Sequence, residues 1–221
     1  MGYDIIRSER ELRKDVSDME NYTEILRENS TLETERLILR PFSMDDAQDV
    51  FLIARDSIVT KYLTWHPHTD ISQTEKVVKE IYMSRPGFYA IELKSEGKCI
   101  GCIDIRVCEE HDKASFGYML NRNYWNKGYM TEALQAIIDL AFSKLRLNRI
   151  ESTHLVGNEG SGRVMQKCGM KYEGKGLQEV KIKGIYHDVV HYAILRQNWY
   201  EWNSNQRQTK TARIRGDISG N

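Results

Sequence analysis

Apolar residues recur along this chain in two rhythms, and the switches between them set the expected architecture. Near the start, Ser8 followed by Glu11 has the form of a capping box. Leu12, Val16, Met19, Tyr22 and Leu26 then return at helical spacing until Asn29-Ser30. The pattern predicts an amphipathic helical extension over 1–30. A lone helix of this kind is marginal in water, so its stripe needs the domain or a partner chain to dock on.

From 31 to 203 the rhythms alternate as in a single domain. Leu37, Leu39 and Pro41 alternate with polar neighbours and predict a first strand. A helix follows from about Met44, with Asp45 and Asp46 where the helix dipole favours negative charge. Tyr62 to His68 is aromatic and interrupted by Pro67, which predicts a loop, and Ser72 to Arg85 has helical spacing ended by Pro86-Gly87. Strands are expected at about 87–94, 98–108 and 113–120, joined by short turns as in an antiparallel meander. The second half predicts a helix from Tyr129 to Leu145, a strand at 148–156 and a helix from Glu159 to Cys168 with Gly169 as its left-handed cap. Strands at about 170–182 and 185–195 flank a Lys183-Gly184 turn, and a last helical turn lies near Trp199 and Trp202. The sum is an α/β domain with a mixed, mostly antiparallel sheet. Residues 204–221 are polar and net basic without apolar periodicity, and are expected to be disordered.

Composition narrows the class. Apolar residues make up 40% and charged residues 29%, and 32 Lys+Arg balance 32 Asp+Glu to a formal charge of zero. That balance speaks against nucleic-acid binding through bulk charge. No apolar run approaches the ~20 residues of a membrane span, and the first residues lack the apolar core of a secretion signal, so a cytoplasmic protein is expected. Cys99, Cys102, Cys108 and His111 are spaced superficially like zinc ligands. If 98–108 is a strand, however, Cys99 and Cys102 point to opposite faces. Cys102 and Cys108 then lie about 20 Å apart at ~3.3 Å per residue. Free thiols and no metal are expected.

Two segments carry chemistry. In Tyr124-Trp125-Asn126-Lys127-Gly128-Tyr129-Met130-Thr131-Glu132-Ala133 a strand end runs through Gly128 into a helix whose apolar face is Leu134, Ile137, Ile138 and Ala141. The unpaired N–H groups of that helix start suit phosphate oxygens, with help from Lys127. Equally, Asn126 could simply cap the helix and Gly128 ease the turn. In Asn158-Glu159-Gly160-Ser161-Gly162-Arg163, Asn158 stands at an N-cap and two glycines occupy the first turn, each costing ~1 kcal/mol against Ala. Close approach of an extended ligand would justify them, with the Ser161 hydroxyl beside it. A plain capped helix is the alternative.

Together these segments resemble the GNAT superfamily of acetyltransferases, and within it the branch of RimJ/RimL-type ribosomal-protein N-terminal acetyltransferases. The likeness covers about 31–203. It runs from Glu33-Thr34-Glu35-Arg36-Leu37-Ile38-Leu39-Arg40-Pro41 through Gly117-Tyr118-Met119-Leu120 and Trp125-Asn126-Lys127-Gly128-Tyr129 with Thr131-Glu132-Ala133. It continues over Asn158–Ser161, Lys167-Cys168-Gly169-Met170 and Tyr186-His187-Asp188-Val189-Val190. Of the family's pyrophosphate motif, Gln/Arg-x-x-Gly-x-Gly/Ala, only Gly128 is kept; Trp125 and Met130 fill the outer positions, which leaves backbone N–H groups rather than a Trp125 side chain to make the contacts.

The resemblance implies a GNAT fold, a seven-stranded sheet splayed between its fourth and fifth strands (113–120 and 148–156). It implies acetyl-CoA as co-substrate and no metal. Donor contacts are implied at Met119, Leu120, Asn126, Lys127, Gly128, Tyr129, Met130, Thr131, Asn158, Ser161 and Lys167, with backbone near Met119 and Leu120 holding the pantetheine arm. A primary amine attacks the thioester directly, backbone donors stabilise the oxyanion, and Ser161 protonates the leaving thiolate, with Tyr118 or Tyr192 as alternative acids. Glu92, Asp104, Glu159 and His154 are candidate bases, each more commonly structural. Tyr62, Trp65 and His68 lie where the family builds its acceptor site, unless they only cover the sheet. The acceptor is a protein N-terminal α-amine or a small amine such as an antibiotic, a polyamine or an aminoacyl nucleotide. A non-catalytic CoA-binding module on the same fold is the rival class, and a homodimer stays open.

Overall fold

The structure, a computed structural model, describes residues 22–201, 203 and 204. Of the expected N-terminal helix, the part before Tyr22 lies outside the described residues, as do Trp202 and the tail beyond Ser204. The described part, α1 (22–28), docks on the domain: Leu26 is buried in the main core and the Tyr89 phenol donates to Asn29 O at 3.0 Å just past its end.

Eight strands form one sheet: β1 (Leu32–Glu33), β2 (Leu37–Arg40), β3 (Phe88–Leu93), β4 (Lys98–Cys108), β5 (Lys113–Leu120), β6 (Arg149–Leu155), β7 (Lys171–Ile182) and β8 (Ile185–Leu195). Their order is β1-β2-β3-β4-β5-β6-β8-β7, and every pairing is antiparallel except β5 with β6. The expected seven strands become eight because Leu32 and Glu33 pair with Leu39 and Ile38. Two residues are too few to leave an alternation in the sequence.

The helices lie on both faces. α2 (Ala47–Ala54), α3 (Ser57–Thr60) and α4 (Ile71–Val77) cover one, packing Val50, Ile53 and Val59, with Val78 just past α4, against Cys99, Cys102 and Met119. α5 (Tyr129–Ser143), α6 (Glu159–Lys167) and α7 (196–201) share the larger core on the other face with Leu134, Ile137, Ile138, Met165 and Trp199. The expected helix 72–85 is α4 followed by a π turn over Val78–Tyr82, closed by Met83 N to Val78 O at 2.9 Å. At the end of α6, Gly169 adopts φ 83°, and Met170 N reaches Met165 O at 3.1 Å while Gly169 N reaches Gln166 O at 3.0 Å. That is the Schellman closure expected of a left-handed glycine.

One local expectation fails. The β3–β4 register slips between Ile91 and Glu92, where Gly101 and Cys99 become successive partners. An inserted residue reverses side-chain alternation beyond it, so Cys99 and Cys102 share one face rather than opposing each other. Both are buried, and burial pushes the Cys99 thiol up to about 12. Among the described residues no three His, Cys, Asp or Glu side chains converge to hold a metal, and no helix is long and apolar enough to cross a membrane.

Candidate active site

The sheet opens between its two parallel strands. β5 and β6 are in register only over Lys113–Arg149, Ala114–Ile150 and Ser115–Glu151. Ser152 Oγ extends the link by one residue, donating to Phe116 O at 2.9 Å. Beyond it, Phe116–Leu120 and Ser152–Leu155 do not pair with each other, so one edge of β5 keeps unpaired backbone groups. Such groups seek hydrogen-bond partners.

Which groups face that gap follows from alternation along the strand. Asn121 N donates to Ile100 O at 2.8 Å, on the β4 side, whereas Phe116 O faces β6. Successive residues direct their backbone to opposite edges. The backbone of Tyr118 and Leu120 therefore faces the gap, and that of Met119 faces β4, where its carbonyl lies 2.4 Å from the position a Cβ on Gly101 would take. This corrects the expected role of the Met119 backbone. The Leu120 carbonyl is occupied as well: Trp125 Nε1 donates to it at 2.8 Å. Trp125 thus has a side-chain function after all, tying the loop after β5 to the strand end.

At the mouth of the gap the chain turns sharply into α5. Asn126 has φ 61° and Gly128 φ 84°, and Gly128 itself is the N-cap, with no side chain capping the helix. Asn126 is therefore not the cap. The N–H groups of Tyr129, Met130 and Thr131 belong to the uncapped first turn. The Met130 side chain is buried in the core, so only its backbone is available there. Lys127 is exposed, with Nζ over the Tyr124 ring at 5.4 Å. Arg36, to which the motif around it assigned no contact, clamps this corner. Its Nη1 donates to Lys127 O at 3.0 Å, its Nε to Glu132 at 2.7 Å, and its guanidinium lies 4.4 Å above the Tyr129 ring centre.

The opposite wall is the first turn of α6. Asn158 holds the N-cap position, but its side chain makes no capping bond. Ser161 Oγ lies 2.7 Å from the Tyr118 phenol oxygen, which also reaches Ser161 O at 3.3 Å. Burial raises the phenol of Tyr118 well above the usual tyrosine range, opposed by the Ser161 hydrogen bond. The two glycines beside Ser161 differ in purpose. A Cβ on Gly162 would stand 2.8 Å from His154 Nε2, so this glycine admits a buried histidine rather than a ligand. A Cβ on Gly160 would meet only Asn158 Oδ1, at 3.9 Å. Lys167 is exposed at the far end of α6, and the Cys168 thiol beyond it donates to Thr131 O at 3.4 Å, joining α6 to the start of α5.

The remaining candidates separate. Tyr192 accepts from Gln166 Nε2 at 3.1 Å and stacks on His154, which donates from Nδ1 to Leu155 O at 2.9 Å. Both serve the packing of α6 on β6 and β8. Glu92 pairs with Arg40 at 2.6 Å and Glu159 is exposed. Asp104 is buried on the α2–α4 face; burial raises its carboxyl pKa against the Arg106 guanidinium at 3.2 Å and the Gly117 N–H at 2.7 Å. Of the aromatic loop, Tyr62 donates to Gly157 O at 2.7 Å, in the turn between β6 and α6. Trp65 packs into the second core, and His68 Nδ1 bonds Thr74 Oγ1 at 2.7 Å, with burial lowering its pKa. Of these three, only Tyr62 bonds to the turn that leads into α6. Lys183, at the β7–β8 turn, donates to Thr60 O at 2.7 Å and ties that hairpin to the end of α3, just before this loop.

The chain is similar to known proteins over this whole frame. A family model described as an acetyltransferase (GNAT) domain matches residues 36–171. The uncharacterized N-acetyltransferase p20 of Bacillus licheniformis is 33% identical over 174 residues, covering 76% of this chain and 98% of that protein. A candidate ribosomal N-acetyltransferase of Bacillus subtilis, YdaF, is 33% identical over 105 residues, covering 47% of this chain and 57% of its own length. Among solved structures, a GNAT-family acetyltransferase from Bacillus anthracis is 30% identical with a TM-score of 0.71, covering 76% of this chain and 99% of that one. The microcin C7 self-immunity acetyltransferase MccE, solved with acetyl-CoA and AMP, shares the fold at 19% identity and a TM-score of 0.67, covering 76% and 97%.

Proposed function

The chain belongs to the GNAT acetyltransferase family and is an N-acetyltransferase; from that premise we propose that it takes acetyl-CoA as donor and a protein or peptide N-terminal α-amine as acceptor. The observation that carries the donor half is the β5–β6 gap, with open strand backbone on one side and an uncapped, glycine-led helix start at its mouth. These features fit an extended pantetheine arm ending in a diphosphate: the strand edge offers amide partners, and the α5 start offers N–H groups with the dipole's positive end.

In this reading the arm runs along Tyr118 and Leu120, and the diphosphate rests on the backbone of Gly128, Tyr129, Met130 and Thr131. Asn126 and Lys127 frame that loop, Asn158 and Ser161 flank the arm, and Lys167 lies farther along α6. The thioester then stands near the Tyr118–Ser161 pair. When the amine attacks the carbonyl carbon, a C–N bond forms and the carbon–sulfur bond breaks. The departing thiolate takes a proton from Ser161, and the proton that the acetylated nitrogen sheds returns through solvent to the hydrogen-bonded Tyr118–Ser161 pair. Burial keeps the Tyr118 phenol protonated, so it can hold Ser161 by a hydrogen bond without itself ionising.

The acceptor half rests on proton cost. An α-amine of pKa ~7.8 sheds its proton for ~1 kcal/mol at pH 7, against ~4.6 kcal/mol for a lysine side chain at ~10.4. Glu92 and Asp104 are engaged by arginines, and His154 is packed behind Gly162. An acceptor that needs little help from a base fits this site best, and the name of YdaF supports the same class. Tyr62, with Trp65 and His68 behind it, would line the acceptor side. Thiol release from acetyl-CoA against a panel of peptides, polyamines and aminoglycosides tests the proposal. Turnover confined to the small amines would replace the acceptor class. Binding without turnover of any amine would overturn the catalytic reading.

A further inference from the structure

We propose that Arg36 makes this enzyme selective for a donor carrying a diphosphate, fixing the phosphate-facing loop and presenting the free edge of its guanidinium to the phosphates. The inference rests on the assignment of the α5 start as the diphosphate site. It goes beyond that assignment because Arg36 comes from β2's leading edge, about ninety residues earlier in the chain and outside the loop itself.

The geometry is specific. Glu132, in the first turn of α5, accepts Thr34 Oγ1 at 2.7 Å, the Arg36 backbone N–H at 2.8 Å and Arg36 Nε at 2.7 Å. Nη1 crosses to Lys127 O at 3.0 Å, and the guanidinium plane rests on Tyr129. Three directed contacts and a stacking face thus lock an arginine whose side chain is still 40% exposed. The planar fork loses little freedom on binding when it is held in this way. Nη2 makes no hydrogen bond among the described residues and stands 3.3 Å from where a Cβ on Gly128 would be. Gly128 is the helix cap, so the free edge of the guanidinium lies beside the unpaired amides. A lysine here could supply charge, but not the bonds to Lys127 O and Glu132 together.

Glu132 does not cancel this charge for a ligand at the mouth. Its two carboxylate oxygens are spent on Thr34 and Arg36, and its side chain is only 17% exposed. The clamp also occupies the Lys127 carbonyl, whose free oxygen would repel phosphate.

The test measures binding of CoA, 3′-dephospho-CoA and pantetheine to wild type, Arg36→Gln and Arg36→Lys by calorimetry, with melting temperatures taken alongside. Arg36→Gln should weaken CoA and 3′-dephospho-CoA alike by about tenfold, as expected for loss of a charge-assisted contact. Pantetheine, which has no diphosphate, should bind the variant as it binds wild type. Arg36→Lys should recover part of the loss, and it carries the same comparison if Arg36→Gln does not fold. Equal weakening of all three ligands would make Arg36 merely structural and overturn the proposal, as would unchanged binding of CoA. Loss confined to CoA would move the contact to the 3′-phosphate and overturn it too. Wild type that binds none of the three would instead refute the donor site itself.

Discussion

Tyr118 and Ser161 share a 2.7 Å hydrogen bond across the gap between β5 and α6, and this joins two residues that the sequence offered only as alternatives. A proton given up by Ser161 can be restored along this bond once the acetylated nitrogen sheds its own. Ser161→Ala and Tyr118→Phe should each lower kcat on the order of 10²-fold, with little change in KM for acetyl-CoA. The double variant should lose scarcely more than either single one, because partners in one network are not additive. Independent, additive losses in steady-state kinetics would separate the two roles. Burial raises the Tyr118 pKa, so turnover should not fall through its ionisation at pH values up to about 10, the ordinary tyrosine value.

Gly128 has φ 84° and caps α5. Gly128→Ala should cost about 1–2 kcal/mol of stability for the left-handed backbone. Its methyl group, 3.3 Å from Arg36 Nη2, should also weaken CoA binding. Calorimetry and thermal melting read the two effects separately; unchanged CoA affinity would remove this corner from the donor site.

The paired glycines of α6 give opposite expectations. Gly162→Ala must displace the buried ring of His154, at 2.8 Å, and should destabilise by about 1–3 kcal/mol. Gly160→Ala meets no atom closer than 3.9 Å and should stabilise by up to about 1 kcal/mol. Denaturant unfolding of both variants decides. A destabilised Gly160→Ala would mean that its surroundings are tighter than this geometry allows.

Much of this was legible in the sequence, for identifiable reasons. The long strands 98–108, 113–120, 170–182 and 185–195 appear within a residue of their expected limits because alternation and turn glycines are local signals. Gly169 was legible as a cap for the same reason. The β4 irregularity was not, because it arises from register with β3, and it places Cys99 and Cys102 on one face. The orientation of the Met119 backbone depends on strand pairing and was equally hidden. Gly162 looked like a concession to a ligand, but its neighbour is His154, eight residues away in sequence and on another element. Arg36 stood in a quoted motif, and only the fold brings it to Gly128 and Glu132.

Glu132 provides a pH test of the clamp. Burial pushes its carboxyl up, but hydrogen bonds from Thr34 and Arg36 outweigh that and hold it below its ordinary value of 4.5. A carboxylate with a depressed folded-state pKa contributes stability above its unfolded value, and that contribution is lost as pH falls through the folded one. Glu132→Gln should therefore destabilise the protein near neutral pH, and the difference from wild type should shrink as pH drops below about 4. A difference that stays constant down to acid pH in parallel unfolding titrations would mean that the carboxylate charge does not hold this corner.

The central claim is acetyl transfer to an α-amine, and it is tested most directly with two peptides of one sequence. One carries a free N-terminus and a blocked lysine; the other carries a blocked N-terminus and a free lysine. With acetyl-CoA as donor, the ~3.5 kcal/mol difference in deprotonation cost favours the first by a few hundredfold near neutral pH at equal intrinsic reactivity. The free N-terminus should be acetylated clearly faster, as measured by mass spectrometry. Faster acetylation of the lysine peptide would contradict that claim.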